Sequence, residues 1–120
     1  IDNFKKVNDT YGHPTGDIVI QHIASQIETN LRTTDLSARF GGEEFCILLS
    51  GNSNTFSFTV LERIRKSIES HIFKSTDNIQ FSVTVSIGLE NNTHNNISHM
   101  IESADLLLYK AKNNGKNQKC

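Results

Sequence analysis

Across residues 81–89 every second position is apolar: Phe81, Val83, Val85, Ile87 and Leu89 alternate with Ser82, Thr84, Ser86 and Gly88. Successive side chains of a strand point to opposite faces, so this run predicts a half-buried β-strand. Such a strand needs neighbours in a sheet and helices over its apolar face. The flanking sequence is patterned to supply both. Apolar residues recur at helical spacing over 17–31 (Ile20, Ile23, Ala24, Ile27, Leu31), with Asp17 as the expected N-cap. They do so again over about 55–72 (Phe58, Leu61, Ile64, Ile68, Ile72) and about 97–112 (Ile97, Ile101, Ala104, Leu108, Ala111), the last run stopping near Gly115. Residues 36–40 and 45–49 read as two strands joined at Gly41-Gly42, a pair suited to the positive φ of a tight hairpin turn. The polar stretch 91–96 reads as a connection. The order helix, hairpin, helix, strand, helix predicts an α/β fold of the α+β sandwich kind, a mostly antiparallel sheet flanked by helices.

Composition excludes several alternatives. A chain of 120 residues suffices for one domain with a genuine core, and with no internal repeat and a single proline no linker divides 1–120. Twelve Lys and Arg against 13 Asp and Glu leave a formal net charge of -1, so no global field draws the chain to DNA, RNA or an anionic membrane. Any phosphate binding must be local. Cys46 and Cys120 offer no disulfide framework, in keeping with a reducing compartment. No apolar stretch approaches the ~18 residues of a membrane span. Ile1-Asp2-Asn3-Phe4-Lys5 reads as the middle of an element, and the chain is expected to be a piece of a longer one.

Three clusters carry candidate chemistry. Phe40-Gly41-Gly42-Glu43-Glu44-Phe45 is either a glycine turn with two surface carboxylates or a hairpin tip that presents metal ligands. Mg²⁺ takes one or two carboxylates and otherwise keeps water or phosphate oxygens; held so, it polarises a phosphoryl group and activates a hydroxyl nucleophile. Residues 2–17 read as a short helix, a loop punctuated by Gly12, Pro14 and Gly16, and a helix start. There Asn8 and Asp17 are either caps or, together, an amide and a carboxylate suited to a base edge. A carboxylate that accepts from N1–H and the 2-amino group selects guanine over adenine, which has neither donor. In the third cluster, 109–117, Lys112 and Lys116 flank the helix stop. They either favour the helix dipole from solvent or neutralise a triphosphate.

Taken together, the clusters follow a known pattern. Asp2-x-Phe4-Lys5-x-x-Asn8-Asp9-x-x-Gly12-His13-x-x-Gly16-Asp17, then Ala38-Arg39-Phe40-Gly41-Gly42-Glu43-Glu44-Phe45, Val85-Ser86-Ile87-Gly88 and Ala104-Asp105-x-x-Leu108-Tyr109-x-Ala111-Lys112 closely resemble the GGDEF family, the catalytic module of diguanylate cyclases. The resemblance covers nearly the whole chain, in the GGEEF variant. It implies a nucleotidyl-cyclase fold related to polymerase palm domains, in which two domains meet as a homodimer, each presenting one GTP, to form cyclic di-GMP and pyrophosphate. By position it makes Glu43 a metal ligand and proton acceptor and Glu44 its assistant, with the Ile1 carbonyl as a further ligand to Mg²⁺ or Mn²⁺. Lys5 stabilises phosphate charge. Asn8 and Asp17 bind guanine, His13 lies in the substrate loop, and Gly41 and Gly42 let the turn approach the nucleotide. Lys112 and Lys116 sit at the triphosphate, where the family often has arginine at the second position; lysine keeps the charge and loses the bidentate fork.

Arg32-Thr33-Thr34-Asp35 stands where the family's RxxD site grips cyclic di-GMP as inhibitor, and Arg63 where a second arginine arrives from a neighbouring domain. The plainer account of Arg32 and Asp35 is a surface ion pair worth little. The chain departs from the family at its front: the aspartate expected immediately before Ile1, and the central strand that carries it, are absent. The fragment is therefore expected to be catalytically silent, and marginally stable or oligomeric through a sheet edge. The parent protein is expected to be cytoplasmic, or the cytoplasmic part of a membrane-bound bacterial sensor, with a sensory domain upstream. Two rival expectations are a non-catalytic receptor for cyclic di-GMP or GTP and a purely structural dimerisation module.

Overall fold

The computed structural model describes residues 1–51, 53–91 and 96–120. Two helices open the chain, α1 (Phe4–Tyr11) and α2 (His13–Asn30), with only Gly12 between them. Gly12 has φ 87°, a conformation that side chains disfavour, and its N–H closes α1 on the Asn8 carbonyl at 2.9 Å. Pro14 falls in the first turn of α2, where its missing N–H leaves no helical bond unmade. The expected loop at 12–16 is thus a single residue. The expected N-cap is corrected too: Gly12 caps α2 and Asp17 lies inside it, exposed.

The hairpin follows as β1 (Leu36–Gly41) and β2 (Glu44–Leu48), antiparallel, then α3 (Asn54–Ser70), capped by Ser53. The short strands β3 (Phe73–Lys74) and β4 (Gln80–Phe81) form a second antiparallel pair, and α4 (Ile97–Asn113) closes the fold behind its Asn96 cap. Part of the expected connection at 91–96, residues 92–95, lies outside the described residues.

The strand expected over 81–89 is paired as strand only at Gln80–Phe81. Its alternation nonetheless holds: Val83 and Val85 are buried in the core while Thr84 and Ser86 face the other way. A β-ladder needs a neighbour. Asp2 N–H donates to the Thr84 carbonyl at 2.9 Å, and residues 118–120 run parallel to 87–89 through a bridge of Ile87 with Lys119. Between β2 and 85–89 lies a cleft of ≈ 360 Å³.

Helices α2 and α3 pack together beneath this sheet layer. Val19, Ile23, Ile27, Val60, Ile64 and Ile68 join Phe73, Val83 and Val85 in one core, with Ile1, Phe4 and Val7 at its end. Each such side chain contributes about 1.5–3 kcal/mol through burial. On α3 the expected apolar face is corrected at Phe58 and Ile72, both 54% exposed; Val60 and Arg65 are buried instead. Phe58 serves the Lys119 ammonium, 3.5 Å from its ring centroid, and Ile72 lies beyond the helix end. α4 covers the opposite face, packed so closely on Gly88 that a Cβ there would collide with the Ala104 carbonyl and the Leu108 nitrogen. Because α4 borders the cleft, only its Ala111 is fully buried, and Ile97 is exposed. Among the described residues no helix is long and apolar enough to cross a membrane.

Candidate active site

The hairpin tip is built by register. Gly41 pairs with Glu44, so the two-residue turn is Gly42-Glu43, and Phe40 is left unpaired at a bulge. Neither Gly41 nor Gly42 has positive φ, which corrects the expected reason for the glycines. A Cβ at either position would meet nothing within 4 Å. Neither the backbone nor the packing of this chain demands glycine here. The Arg39 guanidinium braces the turn by donating to the Gly42 carbonyl at 2.7 Å. Ile1 nitrogen donates to the Glu43 carbonyl at 3.0 Å, which ties the tip to residues 1–3. Ile1, Glu43, Glu44 and Lys112 line the cleft. Glu43 is half-buried and Glu44 exposed.

Among the described residues no three His, Cys, Asp or Glu side chains gather to hold a metal. The donors at the tip are two carboxylates beside the backbone of Ile1, a hard-oxygen set of the size that suits Mg²⁺, whose remaining positions go to water and phosphate. The donor set therefore fits the expected ion.

Asn8, on the last turn of α1, meets α2 at Gly16. A Cβ on Gly16 would collide with Asn8 Oδ1, so the glycine lets the amide lie against the helix. Asn8 Oδ1 is buried with no hydrogen-bond partner among the described residues. A buried acceptor without a partner is uncommon. Asp17 follows Gly16 directly on the exposed side of α2. His13, expected in a loop, is the exposed first residue of that helix, and Lys5 is exposed on the first turn of α1. These four side chains do not line the cleft.

Lys116 Nζ donates to Asn3 Oδ1 at 2.6 Å, which holds the second lysine against residues 1–3. Asp2, to which the sequence reading gave no role, is a buried hub at 5% exposure. Its carboxylate accepts from Thr84 Oγ1 at 2.8 Å, Ser86 Oγ at 2.7 Å and the Asn117 N–H at 3.1 Å. The available signal was the polar half of the 81–89 alternation, whose hydroxyls needed a partner.

Arg32, Asp35 and Arg63 lie away from the cleft lining. The Arg32 guanidinium stands 3.8 Å from the Phe56 ring centroid. Asp35 is buried and accepts from the backbone N–H groups of Arg32 at 2.9 Å and Ser50 at 3.0 Å. The Arg32 N–H first, then that of Ser50, holds its carboxyl below the usual aspartate range. Arg63 donates to the Asn30 side chain at 2.6 Å, so α3 brings it within two residues of Arg32.

A family model described as "Diguanylate cyclase, GGDEF domain" matches residues 1–118. Diguanylate cyclase A of Treponema denticola is 42% identical over 120 residues, covering 98% of this chain and 32% of that protein. The chain thus spans about a third of the curated relatives it matches. Among solved structures, the GGDEF domain of DgcB from Caulobacter crescentus, in complex with c-di-GMP, superposes with a TM-score of 0.93 at 37% identity, covering 99% of this chain and 71% of that one. The active GGEEF domain of a diguanylate cyclase from Vibrio cholerae superposes with a TM-score of 0.84 at 34% identity, covering 100% and 76%.

Proposed function

Because the chain belongs to the GGDEF domain family of diguanylate cyclases, we propose that the protein carrying it condenses two GTP molecules into cyclic di-GMP and pyrophosphate. The observation that carries this reading is the nearness of Glu43, Glu44 and Lys112 to Ile1 along the cleft lining, which brings acid groups and a lysine to one place. Metal-bound triphosphate needs both signs of charge in that arrangement. The open space over Gly41 and Gly42 leaves room for a nucleotide against the turn.

The residues divide the work by position. Asp17 accepts from guanine N1–H and the 2-amino group, and Asn8 binds the same base. His13 borders the base on the exposed start of α2. Lys112 and Lys116 neutralise the triphosphate and Lys5 adds charge to the phosphates. Glu43, Glu44 and the Ile1 carbonyl would hold Mg²⁺ or Mn²⁺, which when bound supplies Lewis-acid polarisation of a phosphoryl oxygen. In the reaction the 3′-oxygen of each nucleotide bonds to the α-phosphorus of the other, one pyrophosphate leaves for each of the two bonds formed, and Glu43 of each chain accepts a hydroxyl proton. Each GTP provides both a nucleophile and an electrophile, so two chains must face each other as a homodimer.

A second reading concerns regulation. Arg32 and Asp35 grip cyclic di-GMP at an inhibitory site, to which a neighbouring domain supplies its Arg63. The DgcB neighbour is described in complex with the same compound. A cytoplasmic setting and an upstream sensory domain complete the proposal. Incubation of the full-length protein with GTP and Mg²⁺, assayed for cyclic di-GMP and pyrophosphate, tests it. Both products are expected. GTP binding without either product moves the protein to the receptor reading.

A further inference from the structure

Three successive residues after α4 have positive φ: Gly115 at 107°, Lys116 at 63° and Asn117 at 46°. Glycine takes this conformation freely, but lysine does not, and asparagine does so only tolerably. A run of this kind persists where surrounding contacts over-determine it, and such places cluster at ligand clamps.

The contacts here are specific. Asn117 N–H donates to Asp2 Oδ2 at 3.1 Å. Its side-chain Oδ1 accepts from Arg65 Nη1 at 2.6 Å, its Nδ2 donates to Glu69 Oε1 at 2.6 Å, and its carbonyl accepts from Arg65 Nη1 at 3.3 Å. Asp2 is 5% exposed and Arg65 9%. Each is fixed from behind, Asp2 by Thr84 and Ser86, Arg65 by Glu62 at 2.8 Å and Glu69 at 3.0 Å. A buried anion and a buried cation therefore grip one residue from two sides. The residue before it is Lys116, whose ammonium is set against Asn3 beside Ile1.

We propose that Asp2 and Arg65 are positioning residues which, through Asn117, hold the left-handed backbone at Lys116 and so aim its ammonium at the phosphates of the bound nucleotide. The proposal rests on the GTP-binding reading given above. Securing the end of α4 would not need left-handed lysine, since the Lys116 N–H already closes the helix on the Ala111 carbonyl at 3.0 Å. The clamp sets where the lysine points. Its loss should weaken binding of phosphates and leave binding of the base alone.

Calorimetric titration of the full-length protein with an α,β-methylene analogue of GTP and, separately, with guanosine separates these effects. Asn117→Ala removes both side-chain grips and disfavours positive φ. It should weaken the analogue about tenfold, the loss expected from hydrogen bonds to charged groups, with guanosine changed less than about twofold. Asn117→Gly accepts the left-handed backbone without strain and should recover part of that loss. Asp2→Ala should match Asn117→Ala; where it does not fold, the Asn117 pair decides alone. Unchanged analogue affinity in Asn117→Ala, or equal losses for analogue and guanosine, overturns the clamp while leaving the GTP site standing. A parent protein that binds guanosine but not the analogue, or neither, removes the nucleotide reading and the clamp with it.

Discussion

Asp17 and Asn8 illustrate how a residue's role depends on what lies beside it. The sequence reading left each as either a cap or a base reader, and the structure takes the caps away: Gly12 caps α2, and Asn8 Oδ1 lies buried without a partner among the described residues. Asp17 is exposed on a helix whose first turn does not need it. Guanine selection should therefore rest on its carboxylate. Asp17→Ser removes the paired acceptor for N1–H and the 2-amino group, and a polar mismatch of this kind discriminates by as much as about 10⁴-fold. Turnover of GTP and ATP by the variant is the check: the preference for GTP should collapse, and an unchanged preference contradicts the assignment. Arg32 poses a comparable question. The Asp35 carboxylate accepts from backbone N–H groups at Arg32 and Ser50, which makes it a loop-closing group as well as a candidate ligand. Arg32→Ala keeps that N–H and removes the guanidinium. The concentration of cyclic di-GMP that half-inhibits the full-length protein should rise about tenfold or more, as for loss of a charged hydrogen bond. Equal inhibition of variant and parent sinks the inhibitory site.

At the scale of elements, the helices were legible because each carries its pattern within itself. Ile20, Ile23 and Ile27 mark the buried stripe of α2, and Ile64 and Ile68 that of α3, before any partner is known. Helix ends were less legible, since Gly12 and Pro14 resemble loop punctuation until their φ and helical position are seen. The strand at 81–89 was legible in its alternation but not in its pairing, because a ladder depends on a neighbour elsewhere in the chain. Arg65 was hidden for a related reason. A charged residue on an amphipathic helix reads as solvent-facing, and its burial follows from partners 52 residues away at Asn117. Glu62 joins the same network, with Arg65 and Lys119 as hydrogen-bond donors that draw its carboxyl down from the ordinary 4.5 to about 2. A carboxyl lowered on folding adds stability that is fully present above its unfolded pKa and is lost as pH falls through the folded one. The contribution of Glu62 should thus hold above about pH 4.5 and fade towards pH 2. Thermal melts of Glu62→Gln and the parent test this. Their difference in melting temperature should be largest near neutrality and close towards pH 2, and a pH-independent difference contradicts it.

For the molecule as a whole, the cleft between β2 and 85–89 joins fold to chemistry. Its walls are core side chains such as Ile23, Ile64 and Ile87, and its lining includes Ile1, Glu43, Glu44 and Lys112. These four residues come from the start, the middle and the end of the chain, so their nearness was invisible to local pattern. The turn at Gly42-Glu43 is anchored through backbone groups, Arg39 to the Gly42 carbonyl and Ile1 nitrogen to the Glu43 carbonyl, so the Glu43 side chain is spare for chemistry. Glu43→Gln keeps the shape and both backbone bonds while removing the negative charge and the proton acceptor. The most direct measurement is cyclic di-GMP formation from GTP by the full-length protein and its Glu43→Gln variant, with thermal melts alongside. Turnover should fall by roughly 10²–10⁴-fold, the usual range for loss of a general base, with the melting temperature unchanged. Retained turnover in a variant as stable as the parent would contradict the assignment of Glu43, and with it the reaction proposed for this site.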